Sequence, residues 1–213
     1  MQPLLIDLDD TLGDDRTATA SAFSAFLHAH ASRVDVADHE ALLVQWNALA
    51  AQHWKRFEQG AVSFLGQRRD RVRGLLGLAL SDAEADRAFE PYWQEYESAW
   101  QLFPDVAPFL ERTRQHRKVI VTNGERPQQM RKLEAAGLLP HVVAVVTPTD
   151  CGYWKPHPDI FAAALRALDV PATACLMIGD SLENDVAPAQ ALGMASFHVD
   201  RSQGRGLSSL FAG

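Results

Sequence analysis

Cysteine is scarce in this chain: there are two, Cys151 and Cys175, in 213 residues. Two are too few for a disulfide framework, and they lack the spacing of a zinc site. Long apolar runs are absent as well. No window approaches the roughly 18 consecutive apolar residues needed to cross a bilayer. The N-terminus has no basic segment followed by an apolar run and a cleavage site. These absences point to a cytoplasmic protein in a reducing compartment, with no membrane partner. Positive charge is in short supply too: 20 Lys and Arg stand against 27 Asp and Glu, for a net charge of −7. That balance argues against a nucleic-acid polymer as the partner of the whole surface, although a local acidic site can take a metal ion. Internal repeats and low-complexity segments are missing. What is left is an ordinary globular composition, 47% hydrophobic and 22% charged, in a chain long enough to bury a sizeable core.

Short apolar runs punctuate that chain: "PLLIDLD", "KVIVTNG", "VVAVVTP", "ACLMIGD" and the weaker "MASFHVD". Most are rich in Val, Ile or Leu without polar alternation, as in strands buried on both faces. Cys175 falls in one of them and reads as a core residue, whereas Cys151 lies in a loop-like stretch. Helical patterns separate the later runs, so the fold class is α/β, with a parallel sheet and right-handed crossovers. Residues 14–100 break this rhythm with about four helical stretches and no strand. Ser81 and Glu84 open the last of these as a capping box. The expected organisation is a core of residues 1–13 and 101–213 with a helical insert over 14–100. The tail "RSQGRGLSSLFAG" is expected to be loosely ordered.

The first run ends in acids: "LLIDLDDTLGDD". Ligands of open parallel sheets bind beyond the carboxyl ends of the strands. Asp7 and Asp9 stand at such an end, two residues apart and so on one face. Held about 4 Å apart at an effective dielectric near 20, two carboxylates repel by roughly 4 kcal/mol. A cation or a shared proton removes most of that. Asp10 points elsewhere unless the chain turns. The other strand ends add Thr122 with the turn "NG" behind it, Asp180 followed by Asp185, and the loop Lys155 before Pro156. Each has an ordinary explanation: a turn, a helix cap, a solvated lysine. Together they place a nucleophile candidate, a hydroxyl, a cation and oxygen ligands on one edge of one sheet.

The motifs "DLDDTL", "VTNG", "WKP" and "GDSLENDV" occur in this order, and the chain resembles the haloacid dehalogenase superfamily, in its phosphatase branch with a helical cap of the first type (nucleotidase-like or phosphoglycolate-phosphatase-like). The resemblance implies a Rossmann-like three-layer α/β/α core and a helical-bundle cap. It implies Asp7 as the nucleophile that forms an aspartyl-phosphate and Asp9 as the general acid/base. It implies Mg²⁺ held by Asp7, the backbone carbonyl of Asp9 and Asp180, with Asp185 supporting, and a phosphoryl group bound by Thr122, Asn123 and Lys155. The dehalogenases that named the superfamily carry an aromatic residue at the position of Asp9 and need no metal. Asp9 therefore argues for phosphate esters over carbon–halogen bonds. Asp10, Glu183 and Asn184 read as structural, and Thr11 as a turn hydroxyl.

The expected activity is an Mg²⁺-dependent phosphomonoesterase acting on a small phosphorylated metabolite. A phosphoglucomutase-like phosphotransferase and a non-catalytic binding protein are the alternatives on the same fold. In the insert, His53, Trp54, Arg56, Arg68, Arg69 and Arg71 are candidates to meet the rest of the substrate. A bundle core containing Trp46 and Trp54, with a solvated arginine face, accounts for the same residues.

Overall fold

The computed structural model describes residues 1–34 and 38–211. Its centre is a five-stranded, all-parallel sheet of β1 (Leu4–Ile6), β2 (Lys118–Val121), β3 (Ala144–Val146), β4 (Leu176–Gly179) and β5 (Ala195–His198), in the order β3-β2-β1-β4-β5. Side chains alternate across such a sheet, and the sequence uses both faces. Leu4, Ile6, Ile120 and Ile178 pack on one side with Phe109 and Leu133. Leu5, Val119, Val121 and Met177 pack on the other with Ile160, Phe161, Ala164 and Leu168. Helices α5 (Val106–Arg112) and α6 (Arg126–Ala135) thus cover one face and α8 (Pro158–Leu168) the other. This is the three-layer α/β core expected from the apolar runs. Cys175 is fully buried in it, and Cys151 closes the short helix α7 (Pro148–Cys151). A last short helix, α9 (Ala187–Ala191), follows β4.

Tertiary contacts divide the molecule into two compact units, residues 1–15 with 100–213, and residues 16–99. The second unit consists of α1 (Asp15–Ala29, less its first residue), α2 (His39–Glu58), α3 (Phe64–Leu76) and α4 (Asp82–Ser98). Ser81 and Glu84 form the expected capping box at the start of α4. Trp46 is fully buried in this unit, its ring 5.5 Å from Phe23, 4.8 Å from Phe26 and 5.2 Å from Tyr92. Among the described residues no helix is long and apolar enough to cross a membrane.

The tail differs from expectation. Residues 201–203 and 207–211 form 3₁₀ turns, Leu207 is fully buried in the core, and Arg201 is ion-paired with Asp105 at 3.2 Å. Leu207, Leu210 and Phe211 supply apolar area to the α5 side of the sheet, which orders a segment whose Gly and Ser content alone favours a loop.

Candidate active site

The chain runs from β1 outward to β2 and β3, then returns to the other side of β1 for β4 and β5. The strand order therefore reverses between β1 and β4, where open sheets bind ligands. Strands β1, β2 and β4 are in step, since Ile6 pairs with both Ile120 and Ile178. Asp7 consequently leaves the sheet level with the ends of β2 and β4, and its N–H still donates to the Ile178 carbonyl at 2.9 Å. The residue is 6% exposed. The two carboxylate oxygens face different partners: Oδ1 accepts from Lys155 Nζ at 2.6 Å, and Oδ2 from the Thr11 hydroxyl at 3.0 Å. Burial pushes the Asp7 carboxyl up to about 8, against the pull of Lys155 and with the push of Asp185, Asp180 and Asp9.

The turn after β1 is tight. Asp10 adopts φ 59°, a conformation that Asp tolerates better than most residues. Leu12 and Gly13 both donate to the Leu8 carbonyl at 2.9 Å. The turn brings Thr11 back over Asp7, so this hydroxyl serves the carboxylate itself and not only the turn. It also lies 3.5 Å from Asp180 Oδ1. Arg201, from the tail, holds the Thr11 carbonyl at 2.5 Å.

Lys155 comes from the loop between α7 and α8 and is 5% exposed. Its ammonium lies 2.6 Å from Asp7 Oδ1 and 2.7 Å from Asp185 Oδ1. Burial pulls its pKa down, but the two carboxylates outweigh burial and hold it above the ordinary lysine value. The Asn123 side chain fixes the lysine's backbone from both sides. Asn123 Nδ2 donates to the Lys155 carbonyl at 2.8 Å, and the Lys155 N–H donates to Asn123 Oδ1 at 2.6 Å. Thr122 is 1% exposed, and its hydroxyl oxygen accepts from Gly124 N–H at 3.1 Å and from Gln129 Nε2 at 3.0 Å. Both lone pairs are then used, which leaves the hydroxyl proton to offer to an acceptor.

Asp180 follows β4, and Asp185 lies in the π-turn Leu182–Val186. Asp185 Oδ2 accepts from Ser181 N–H at 3.0 Å. The fit is close: a Cβ on Gly179 would stand 2.3 Å from Asp185 Oδ2, so only glycine fits there. Burial, then Asp185 and Asp10, raise the half-buried Asp180 to about 6. One carboxylate oxygen each from Asp7, Asp180 and Asp185 lies within 4.8 Å of the others. Three oxygen donors this close, two of them destabilised by burial and mutual repulsion, fit a hard divalent cation such as Mg²⁺.

The residues around Asp9 include two that the sequence reading missed. Asp9 Oδ1 accepts from Lys132 Nζ at 2.5 Å, and Oδ2 accepts from Gln129 Nε2 at 2.7 Å. Both donors sit on α6, in the stretch "RPQQMRKLEA". Nothing in that composition separates them from a solvated helix face.

In the helical unit the candidate residues engage one another. Arg56 pairs with Asp70 at 2.8 Å, and Arg69 with Asp82 at 2.6 Å and Asp86 at 2.7 Å. Arg68 lies over Trp93 and Arg71 over Trp46, at 4.2 and 3.8 Å from the ring centres. Trp54 donates to Glu58 at 3.0 Å, and His53 is 8% exposed. Trp46 is core as expected, but the arginines are not a solvated face: Arg68, Arg69 and Arg71 are half-buried and are stacked on rings or ion-paired. His157 caps the start of α8, and Asp159 lies in its first turn.

The model of the haloacid dehalogenase-like hydrolases matches residues 3–193. A phosphoserine phosphatase of Thermus thermophilus is 30% identical over 94% of this chain and 89% of its own length. Among solved structures, the HAD-hydrolase YfnB of Bacillus subtilis, bound to magnesium, superposes with a TM-score of 0.81 at 24% identity, over 99% of this chain and 97% of that one. A 2-haloacid dehalogenase of Pseudomonas syringae pv. tomato gives a TM-score of 0.70 at 28% identity, over 99% and 96%.

Proposed function

The chain belongs to the haloacid dehalogenase-like hydrolases and is a phosphatase among them, and from that membership we propose that it hydrolyses the monoester of a small phosphorylated metabolite through an aspartyl-phosphate on Asp7. One observation carries the reading. The buried Asp7 carboxylate has one oxygen against Lys155 and the other on the Thr11 hydroxyl, which also lies 3.5 Å from Asp180 Oδ1. The first is placed to attack phosphorus while the ammonium offsets charge on the transferring group. In the first step Asp7 Oδ1 forms a bond to phosphorus, the bond to the leaving oxygen breaks, and Asp9 supplies that oxygen's proton. In the second, Asp9 takes a proton from water, the water oxygen bonds to phosphorus, and the bond to Asp7 breaks. Phosphate leaves and Asp7 is restored. Thr122 would donate its hydroxyl proton to a phosphoryl oxygen, with the Asn123 N–H beside it.

Asp7, Asp180 and the Asp9 carbonyl would hold Mg²⁺, with Asp185 behind them, and bound there it would offset the negative charge of carboxylates and phosphate. Both oxygens of Asp185 already accept hydrogen bonds, which suits a supporting role. The family's dehalogenases carry an aromatic residue where this chain has Asp9, so the acid/base and the acidic triad favour phosphate esters. We place the enzyme in the cytoplasm, where Cys151 and Cys175 stay reduced.

The test is phosphate release from a panel of phosphorylated metabolites, with Mg²⁺ or with chelator, for the wild type and Asp7→Asn. Metal-dependent release that is lost in Asp7→Asn is the expected result. Folded, Mg²⁺-supplied protein that releases phosphate from no ester overturns the reading. Transfer of the phosphoryl group to an added sugar in place of water would shift it to a phosphotransferase.

A further inference from the structure

Helix α6 delivers two side chains to Asp9 that the reaction above leaves without a role. Gln129 and Lys132 are three residues apart and so share a helix face. Each takes one oxygen of Asp9, Lys132 at 2.5 Å and Gln129 at 2.7 Å. Holding them there is costly. Lys132 is 4% exposed and Gln129 fully buried, and polar groups lose hydration on burial. Gln129 Oε1 is buried without a hydrogen-bond partner, which costs about 1–3 kcal/mol. A leucine would fill the same space without that loss. The neighbouring backbone gives way as well: a Cβ on Gly124 would stand 1.8 Å from Gln129 Nε2. A glutamine kept at this cost is there for its donors. One of its N–H groups goes to Asp9 and the other to Thr122 Oγ1 at 3.0 Å. Lys132 also holds Asp15 at 2.7 Å. The Asp9 side chain is 31% exposed against 8% for Asp7, so packing alone does not fix it.

We propose that Gln129 and Lys132 are positioning residues for Asp9. They hold its carboxylate, one oxygen each, where its proton meets the leaving oxygen, and the Gln129 amide ties that placement to Thr122. The inference rests on the phosphatase reading and names what sets its proton donor.

The experiment compares two esters in the Mg²⁺-supplied full chain. An alkyl phosphate leaves as an alkoxide and needs the proton, whereas 2,4-dinitrophenyl phosphate leaves without one. Gln129→Leu should stay close to wild type in stability, because loss of the unmet acceptor offsets the two hydrogen bonds removed from Asp9 and Thr122. Its kcat on the alkyl ester should nevertheless fall about 10- to 100-fold, less than the roughly 10²- to 10⁴-fold of acid/base catalysis as a whole, because Asp9 remains and only its placement is lost. KM should stay within about 3-fold and the dinitrophenyl ester should lose little, since positioning acts on the transition state. Lys132→Met should behave alike, Lys132→Arg should recover much of the loss, and in an Asp9→Asn background Lys132→Met should change nothing further. Equal losses on both esters, a rise in KM alone, or a stable Gln129→Leu with wild-type kcat on the alkyl ester overturns the proposal. If Lys132→Met does not fold, Gln129→Leu decides alone. A wild type inert on every ester overturns the phosphatase reading itself, a result distinct from either.

Discussion

The Asn123 side chain, unlike its backbone N–H, bears on the candidate site only through Lys155. Its amide exchanges two hydrogen bonds with the Lys155 backbone and so sets where the ammonium stands. Asn123→Ala keeps the backbone N–H beside the phosphoryl group but releases the lysine loop. Because small misplacements of a charged group are costly, kcat should fall roughly 10- to 100-fold with little change in the melting temperature. Steady-state kinetics with thermal melts check this, and wild-type kcat would show that Lys155 holds its place by its own ion pairs. Gly179→Ala would press on the Asp185 carboxylate. It should weaken Mg²⁺ affinity and destabilise the fold by roughly 1–3 kcal/mol, as titration calorimetry and denaturant melts would read. The residues behind both predictions were unequally visible in the sequence. Asp7, Thr122 and Asp180 follow strands directly, where polar residues end apolar runs, and Lys155 stands in the Pro-marked loop between α7 and α8. Gln129 and Lys132 offered no such break, because a Gln and a Lys on a helix are usually solvated. The glycine that makes room for Gln129 read as an ordinary turn residue.

At the scale of elements, β1, β2 and β4 were legible because they are almost wholly buried and apolar, whereas β5, whose Ala195 is exposed and whose run is broken by Ser196 and His198, was the weakest signal. The four helices of the second unit were legible from apolar spacing and from the Ser81–Glu84 box. The tail was misread because Leu207 is separated from Leu210 and Phe211 by two serines, and no periodicity announces a 3₁₀ turn. Trp46 links the elements of the helical unit. It lies on α2 between Phe23 and Phe26 of α1 and Phe89 and Tyr92 of α4. Its Nε1 is buried with no hydrogen-bond partner. Trp46→Ala should therefore cost about 3–5 kcal/mol through the cavity it opens. Trp46→Phe should cost far less, since removing the unmet N–H offsets part of the lost volume. Denaturant unfolding of the two variants checks the order, and equal losses would mean that the indole N–H is satisfied in solution.

For the whole molecule, the acidic balance seen in composition is concentrated where it matters, with Asp7, Asp180 and Asp185 gathered at one strand edge and a single ammonium between two of them. Such a cluster makes stability depend on pH and on metal together. Asp180 has its folded-state pKa raised from 3.8 to about 6, so the folded protein holds a proton that the unfolded chain has released. Its contribution is fully present below about pH 4 and is lost as pH rises through about 6. One group can release at most one proton, so the slope stays below about 1.4 kcal/mol per pH unit, and the partial solvation of Asp180 lowers it further. Asp7 continues the same trend, since burial raises it to about 8. Mg²⁺ held there would need the carboxylates deprotonated and would work in the opposite sense. With chelator present, this site's share of the stability should fall between pH 4 and 8. The stabilisation gained on adding Mg²⁺ should be small at pH 5 and grow toward pH 8. Thermal melts with and without Mg²⁺ across that range, on wild type and on Asp180→Asn, separate the terms. The variant should flatten the chelated profile below pH 6 and lose most of the Mg²⁺ shift. An Mg²⁺ shift independent of pH, or one undiminished in Asp180→Asn, would place the cation away from these carboxylates.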